Sequence, residues 1–260
     1  RWGIRKGVIL GVPDTPEVWE QLDRVLDKTY KFANGRGLKI ARTFIDCGGH
    51  YTDYVYAYCF KHRFRQRFAI KGSNMANEDL VAKIGKKQMR NSSIPLVFIG
   101  TDTGKQQIMD RLSIEVQGAK YMHFPLDDKR KIKKIVDVMQ KLVKADGKNM
   151  SNDAVIESYA NRGYDSIYFR GLISEELVPR KKNGVVVFQW TNIAKDKRNE
   201  PLDLAVYNLA CMRSIAPNFE RLDAMLAQDN NDDADGATAS APASKPSKRY
   251  GCIKRGRRVE

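Results

Sequence analysis

The amino-acid sequence predicts an α/β fold, in which helices cover an open sheet. Apolar, β-favouring runs alternate along the chain with segments whose apolar residues recur at helical spacing. The strongest run, residues 38–45, ends at Asp46, Cys47 and two glycines, which is typical of a buried strand followed by a sharp turn. Open α/β sheets place their chemistry at the carboxyl ends of such strands. Asp46 is therefore a candidate site residue, although an acid at this position also serves as a turn cap.

Local signals place the next elements around this strand. Residues 1–11 are expected to form an edge strand, and residues 14–17 supply the capping residue, proline and acid that begin a helix. A second helix is expected from Thr52, followed by a strand over residues 67–72 with Lys71 near its carboxyl end. Lys71 is therefore expected to approach a ligand at the same edge of the sheet as Asp46.

A loop with two glycines and a lysine follows the predicted strand over residues 94–100. Gly100, Gly104 and Lys105 resemble a phosphate-binding loop, but too few residues separate the glycines and Gln106 follows the lysine. We therefore exclude a Walker-type ATP site here. Lys105 can still contact a phosphate at the start of the helix that follows.

The second half of the chain adds a hairpin and a long helix. Asn183-Gly184 lies between two strand-like runs and predicts a β-hairpin. The helix begins near Pro201 and carries Asp203 in its first turn, where a carboxylate can point off the helix end at a metal ion. Asp46 and Asp203 are thus two acids at the ends of predicted elements.

Composition favours a polyanionic partner. The 260 residues include 46 Lys and Arg against 31 Asp and Glu, a formal net charge of +15, and nucleic acid is the leading candidate ligand. No apolar run has the length of a membrane span, and no signal peptide is visible, so a soluble intracellular protein is expected. The four cysteines form no C-x-x-C pair, which argues against a zinc site.

Charge also divides the chain into regions. Residues 1–226 are expected to form one domain, in which residues 127–162 are a charged helical insertion. The basic face of this insertion is either solvated surface or a DNA contact. Residues 227–260 contain an acidic linker and a basic tail, and we expect them to be disordered.

Several motifs, in register over residues 1–215, resemble the nuclease domain of lambda-type (GpA family) terminase large subunits of tailed phages. The pieces that carry this resemblance are Phe44-Ile45-Asp46-Cys47-Gly48-Gly49-His50-Tyr51-Thr52, Ala69-Ile70-Lys71-Gly72, Gly100-Thr101-Asp102 with Lys105, His123-Phe124-Pro125, Leu172-Ile173-Ser174-Glu175, and Arg198-Asn199-Glu200-Pro201-Leu202-Asp203. The resemblance implies an RNase H-like fold, with a mixed sheet flanked by helices.

The resemblance also implies a metal-dependent endonuclease that cuts concatemeric double-stranded phage DNA during packaging. Clustered acids in such enzymes hold two Mg²⁺ or Mn²⁺ ions that hydrolyse the phosphodiester. Asp46 and Asp203 match the family as catalytic metal ligands, and Glu200, one turn from Asp203, is a further candidate ligand. Lys71, Lys105 and Arg198 are candidates for contacting DNA.

Partners and setting follow from the same resemblance. A terminase acts on DNA with a small subunit and with the portal of the procapsid, as an oligomer in the packaging motor, without a membrane, in the host cytoplasm. The family's first catalytic acid lies on an earlier strand that nothing in this chain matches, so we expect a fragment that lacks its first strand. The alternative is a non-catalytic DNA-binding or procapsid-docking fragment of a terminase.

Overall fold

The computed structural model of the protein describes residues 2–32, 36–73, 75, 77–89, 92–125, 161–194 and 198–232. The chain divides into two compact units after Ala216. In chain order, the elements of the first unit are α1 (Pro16–Leu26), β1 (Tyr30–Lys31), β2 (Gly37–Leu38), β3 (Thr43–Asp46), α2 (Thr52–Lys61), β4 (Arg67–Gly72), β5 (Val81–Gln88), β6 (Ser93–Ile99), α3 (Thr101–Leu112), α4 (Ser166–Leu172), β7 (Glu175–Lys182), β8 (Val185–Asn192) and α5 (Glu200–Ile215). The second unit contributes α6 (Phe219–Asp232).

A four-stranded mixed sheet forms the centre of the first unit, in the order β3-β4-β6-β5. β3, β4 and β6 are parallel, whereas β5 runs antiparallel to β6. Parallel neighbours need a crossover connection, which α2 supplies between β3 and β4. The predicted α/β class, with a mixed sheet flanked by helices, is therefore confirmed. The RNase H-like assignment and the missing first strand stay predictions.

Apolar side chains cover both faces of this sheet. Alternation along β4 sends Ala69 to one face and Ile70 to the other, and both are fully buried. The core on the α2 side consists of Cys47, Val55, Tyr56, Cys59, Ala69, Ile94 and Leu96. The core on the α3 and α5 side includes Ile70, Val97, Ile99, Ile108, Leu202, Val206 and Leu209.

The helices α3 and α5 approach each other closely at Gly104. A Cβ at this position would lie 2.3 Å from Cγ1 of Val206 on α5. Gly104 is therefore a packing residue rather than part of a phosphate loop, in agreement with the excluded ATP site.

Two predicted strands differ from those observed. Within residues 2–12 there is no edge strand, only a single parallel bridge from Trp2 to His123. Gly11 has φ +139°, which interrupts an extended ladder. Of the predicted strand 38–45, only Thr43 and the residues after it join the central sheet.

The edge strand β5 was not predicted at all. Lys83, Lys86 and Lys87 are exposed on it, and these lysines break the apolar alternation by which a strand is recognised. Charged side chains on an edge strand oppose pairing with another chain. The lysines that make this strand hard to recognise from the sequence thus also protect the edge of the sheet.

The described residues cover only part of the segments to which the remaining predictions about domain organisation refer. The predicted boundary at residue 226 falls within α6, and it stays a prediction. Residues 126–160, almost all of the predicted insertion, and residues 233–260 of the predicted tail lie outside the described residues. Within the described part of the chain, no helix is long and apolar enough to cross a membrane.

A buried arginine fixes α1 to the sheet. Arg67 begins β4 and is 3% exposed. Its guanidinium donates hydrogen bonds to the carboxylates of Asp23 on α1 and of Asp27 just after α1, and to the hydroxyl of Tyr58 on α2. Arg65 pairs with Asp27 at 2.7 Å, but both of those side chains are largely exposed. Because charge in a buried pair is poorly solvated, Arg67 should contribute far more to stability than Arg65.

We therefore expect Arg67→Ala to lower the free energy of unfolding by about 3 kcal/mol, because it leaves the two aspartates without their buried counter-ion. The matched variant Arg65→Ala should lower it by less than about 1 kcal/mol. Urea denaturation followed by circular dichroism measures both values. Equal losses in the two variants would contradict this account of how α1 is held.

Candidate active site

Asp46 ends β3 on the face of the sheet that α3 and α5 cover. The register pairs it with Ile70, which is buried in the core on that side. Its Oδ1 accepts a hydrogen bond from the backbone N–H of Gly48 at 2.9 Å, so Asp46 does cap the turn. Its Oδ2 accepts a hydrogen bond from the hydroxyl of Tyr207 on α5 at 3.3 Å. Both alternatives considered for Asp46, turn cap and site residue, are compatible with this position.

Asp203 lies in the first turn of α5, one turn before Tyr207. Burial raises the pKa of Asp203; the ammonium of Lys105 opposes this, and the charges of Glu175 and Asp46 add to it. Burial also raises the pKa of Tyr207 well above its usual range, and the charges of Asp46 and Asp203 raise it further. The structure thus brings the two predicted acids to one site, where the charge of Asp46 acts on Asp203.

A third acid, Glu175, belongs to the same cluster. It begins β7 and is 7% exposed. Its Oε2 lies 2.6 Å from Nζ of Lys105, and its Oε1 accepts a hydrogen bond of 2.6 Å from Nδ2 of Asn199. Nζ of Lys105 also lies 3.7 Å from Oδ1 of Asp203. Lys105 therefore links Glu175 to Asp203.

The sequence contains a signal for Glu175, which is not among the predicted site residues. Leu172-Ile173-Ser174-Glu175 is one of the pieces that carry the family resemblance. Glu175 follows apolar residues closely, and acids are rarely buried unless they are paired. Its partner Lys105 is distant in the chain, so the ion pair itself is a product of the tertiary fold.

Of the other predicted residues, Lys105 belongs to this cluster. It is 9% exposed and paired with Glu175, so it lies inside the site. Lys71 is exposed, and alternation along β4 puts it on the α2 face, where its charge acts on the Cys47 thiol. Arg198 and Glu200 are exposed around the start of α5.

The donor set is compatible with a divalent cation. In the described part of the chain, no group of three or more His, Cys, Asp or Glu side chains is arranged to hold a metal ion. Mg²⁺, however, is usually bound by one or two carboxylates together with water and substrate phosphate. Asp46 and Asp203 supply two carboxylates. Glu175 is already engaged by Lys105 and Asn199.

Comparison with known proteins places the chain in a family. Residues 1–223 match the family model described as "Terminase large subunit gpA, endonuclease domain". The chain belongs to this endonuclease-domain family. The family assignment made from the motifs is thereby confirmed.

Two relatives of the terminase domain are large subunits of phage terminases. The terminase large subunit of Escherichia phage lambda is 28% identical over 237 residues, which cover 89% of this chain and 31% of the relative. That of Enterobacteria phage P21 is 25% identical over 248 residues, covering 93% of this chain and 33% of the relative. The chain spans about a third of the length of these curated relatives. No solved structure matches it.

Membership of the terminase nuclease family implies nuclease activity and, in general, dependence on a divalent metal. The matched region contains all the acids of the cluster described above. Which residues act, and on which substrate, are matters for the proposal below.

The buried pair of Lys105 and Glu175 leads to a prediction on stability. Lys105→Met and Glu175→Gln should each lower the free energy of unfolding by about 3 kcal/mol, because each leaves its partner buried with an uncompensated charge. The double variant should lose less than the sum, with a coupling of about 2 kcal/mol or more. Urea denaturation of the four proteins measures this cycle. Additive losses would show that the two charges do not depend on each other.

The raised pKa of Asp203 leads to a prediction on pH dependence. The folded protein holds the Asp203 proton more tightly than the unfolded chain does, so this group's contribution to stability is lost as pH rises above 3.8, the ordinary aspartate value, through the folded pKa. Asp203→Asn removes that loss. In EDTA, the stability of the variant relative to the original chain should therefore increase from pH 4 to pH 7. A difference that is independent of pH would contradict the raised pKa.

Proposed function

We propose that the chain is the metal-dependent endonuclease domain of a phage DNA-packaging terminase, which cuts concatemeric double-stranded DNA. The observation that carries the proposal is that Asp46 bonds to Tyr207, one turn after Asp203, and that the charge of Asp46 acts on Asp203, although the two acids are distant in the sequence. Phosphodiester hydrolysis by metal ions needs acids grouped in this way. The family match supports the class of reaction.

In this proposal Asp46 and Asp203 supply the oxygen ligands for Mg²⁺ or Mn²⁺. Such an ion, when bound, activates water and stabilises the leaving oxygen of the cleaved phosphodiester. Tyr207 keeps its proton, because its pKa is raised, and its hydroxyl donates a hydrogen bond to Oδ2 of Asp46. Together with the backbone N–H of Gly48, this bond sets the orientation of the Asp46 carboxylate. The remaining lone pairs of that carboxylate are left for the cation.

Lys105 and Glu175 adjust the charge of the site. Their buried ion pair stands beside Asp203, and Asn199 holds the second oxygen of Glu175. The site carries two net negative charges, which result from the carboxylates of Asp46, Asp203 and Glu175 and the ammonium of Lys105. This net charge suits a divalent cation. Lys105 is thus a positioning residue for Asp203, rather than the DNA contact expected from the sequence, and Glu175 positions Lys105.

The RNase H-like fold and the two-metal mechanism are further parts of the proposal. β3 is an edge strand among the described strands of the central sheet. An RNase H-like arrangement has a further strand with a further acid beside it, which would supply ligands for a second ion. Two-metal hydrolysis rests on that arrangement. Glu200, exposed one turn from Asp203, is an additional candidate ligand.

The proposed DNA contacts are two exposed cations, Arg198 and Lys71. Arg198 precedes α5 and Lys71 follows Ile70 at the end of β4. As part of a terminase large subunit, the domain would act with a small subunit and with the portal of the procapsid, as an oligomer of the motor, in the host cytoplasm. The terminase relatives support this setting.

The alternative, a non-catalytic fragment that only binds DNA or docks to the procapsid, makes a different prediction about metal. It is favoured by the net charge of +15, which suits DNA binding without any metal. In that case DNA affinity should depend strongly on salt, while divalent ions should have no effect beyond their ionic strength.

Cleavage of duplex DNA in the presence of Mg²⁺ or Mn²⁺ tests the proposal. Asp46→Asn and Asp203→Asn should each lower the cleavage rate by more than about 100-fold, because each removes an oxygen ligand of the ion. Asp53→Asn is the matched control, since Asp53 is an exposed acid in the first turn of α2. The assay should be run on the chain and on a longer protein that contains it.

Metal binding gives a second readout for the same variants. Titration of Mn²⁺ by calorimetry should detect an ion that Asp46→Asn and Asp203→Asn lose and that Asp53→Asn keeps. If Asp203→Asn cleaved DNA at the original rate, or if neither substitution changed the metal affinity, the assignment of Asp46 and Asp203 as metal ligands would be rejected. The DNA-binding alternative would then remain.

A further inference from the structure

The hairpin of β7 and β8 is a separate two-stranded sheet that begins at the candidate active site. Its eight pairs run from Glu175 opposite Asn192 to Lys182 opposite Val185. Asn183 and Gly184 both have positive φ, 51° and 80°, which is the tight turn expected from this dipeptide. Glu175 anchors the base of the hairpin through Lys105 and Asn199. The strands then lead away from the site to the turn.

Three consecutive cations lie next to this turn. Arg180, Lys181 and Lys182 are all exposed, and the residues opposite them are the uncharged Val187, Val186 and Val185. Among the described residues no ion pair neutralises these three cations. The turn of the hairpin therefore carries concentrated positive charge. Because the described part of the protein does not neutralise this positive charge itself, the charge favours binding of a polyanion.

One face of the same hairpin is apolar and largely uncovered. Phe188 is 65% exposed and Val186 is 58% exposed. With Leu177 and Trp190 they line one side of a cleft of about 530 Å³, whose other side includes Thr103 and Gln106 of α3. A hairpin that presents cations at its turn and apolar side chains along one face has the composition of a β-ribbon that enters a DNA groove.

We propose that the β7–β8 hairpin is an arm that holds duplex DNA at a distance from the cut site. This inference rests on the proposed function, because it takes the same DNA as the partner. From Glu175 to Lys182 the strand reaches about 23 Å at about 3.3 Å per residue, which corresponds to about seven base pairs of B-DNA. The major groove is wide enough for a two-stranded ribbon. The cations contact phosphates, and the exposed part of the Phe188 side chain contacts the duplex.

The arm differs from the DNA contacts that the sequence suggested. Lys105 is buried and Lys71 lies on the α2 face, so neither extends from the site along the duplex. The hairpin starts at the site with Glu175, which links the position of the DNA contact to the position of the cut. A partner protein that binds the apolar face instead is an outcome of the test below.

Duplex binding measured in EDTA, without cleavage, tests the arm. We compare the triple variant Arg180→Ala, Lys181→Ala, Lys182→Ala with the control triple variant Lys83→Ala, Lys86→Ala, Lys87→Ala, which removes the same charge from the exposed strand β5. Fluorescence anisotropy with a duplex of about 30 base pairs, over a range of salt concentrations, gives the affinity and its salt dependence. The arm variant should bind about ten-fold more weakly or worse, and the slope of log K against log salt should fall by about three.

The control variant should change that slope by less than about one. Phe188→Ala should weaken duplex binding with an unchanged salt slope, because it removes an apolar contact and no charge. Equal effects of the two triple variants, or a Phe188→Ala protein that binds as well as the original chain, would overturn the arm. DNA binding unaffected by either change would instead assign the hairpin face to a protein partner.

Hydrolysis of a small diester, bis-p-nitrophenyl phosphate, separates this inference from the proposed function. The arm variant should hydrolyse it at the original rate in Mn²⁺, because the small ester does not reach the hairpin, while its KM for long duplex rises. Asp46→Asn should lose the small-ester reaction and keep duplex affinity in EDTA. If no metal-dependent hydrolysis of either substrate is found but the arm variant still loses duplex affinity, the proposed catalysis fails and the arm remains. Impaired small-ester hydrolysis with normal duplex affinity in the arm variant would reject the arm.

Discussion

The packing of α5 along β3 is the constraint on which the candidate site depends. At its middle, α5 is joined to the end of β3 by the bond from Tyr207 to Asp46. Near its end, Nη1 of Arg42, just before β3, donates a hydrogen bond of 2.8 Å to the carbonyl of Ser214. A cation is also favourable at a helix C-terminus. These contacts at the middle and the end of α5 position the helix on β3, and with it Asp203, whose pKa the charge of Asp46 affects.

Tight packing beneath the helix supports this position. Val206 of α5 presses against Gly104 of α3, where no side chain larger than hydrogen fits. The same turn of α3 carries Lys105, whose ammonium reaches both Glu175 and Asp203. One helix contact therefore aligns the core and the charges of the site. Buried charges of this kind offset part of the stability that packing provides elsewhere, which is a common trade-off at functional sites.

The site combines two different electrostatic arrangements. Glu175 is satisfied within the protein by an ammonium and an amide, so its charge is compensated without any ligand. Asp46 accepts hydrogen bonds from the Tyr207 hydroxyl and the Gly48 N–H, and the Lys105 ammonium lies 3.7 Å from Asp203. Burial raises the pKa of Asp203, and the charges of Glu175 and Asp46 raise it further. Two carboxylates that repel each other in a partly buried place are stabilised by a bound cation. The hairpin that starts at Glu175 extends the same site toward a larger ligand.

The sequence by itself determined the α/β class, most of the helices and strands, the hairpin turn and the family, because these follow from local periodicity, turn chemistry and short motifs. It also marked Asp46 and Asp203, since acids at element ends can be recognised without knowing their neighbours. Only the tertiary structure decided that Lys105 pairs with Glu175, that Lys71 lies on the opposite face from Asp46, and that residues 2–12 form no strand. Those outcomes depend on which distant segments become neighbours, and the packing of α3, α5 and the hairpin determines that.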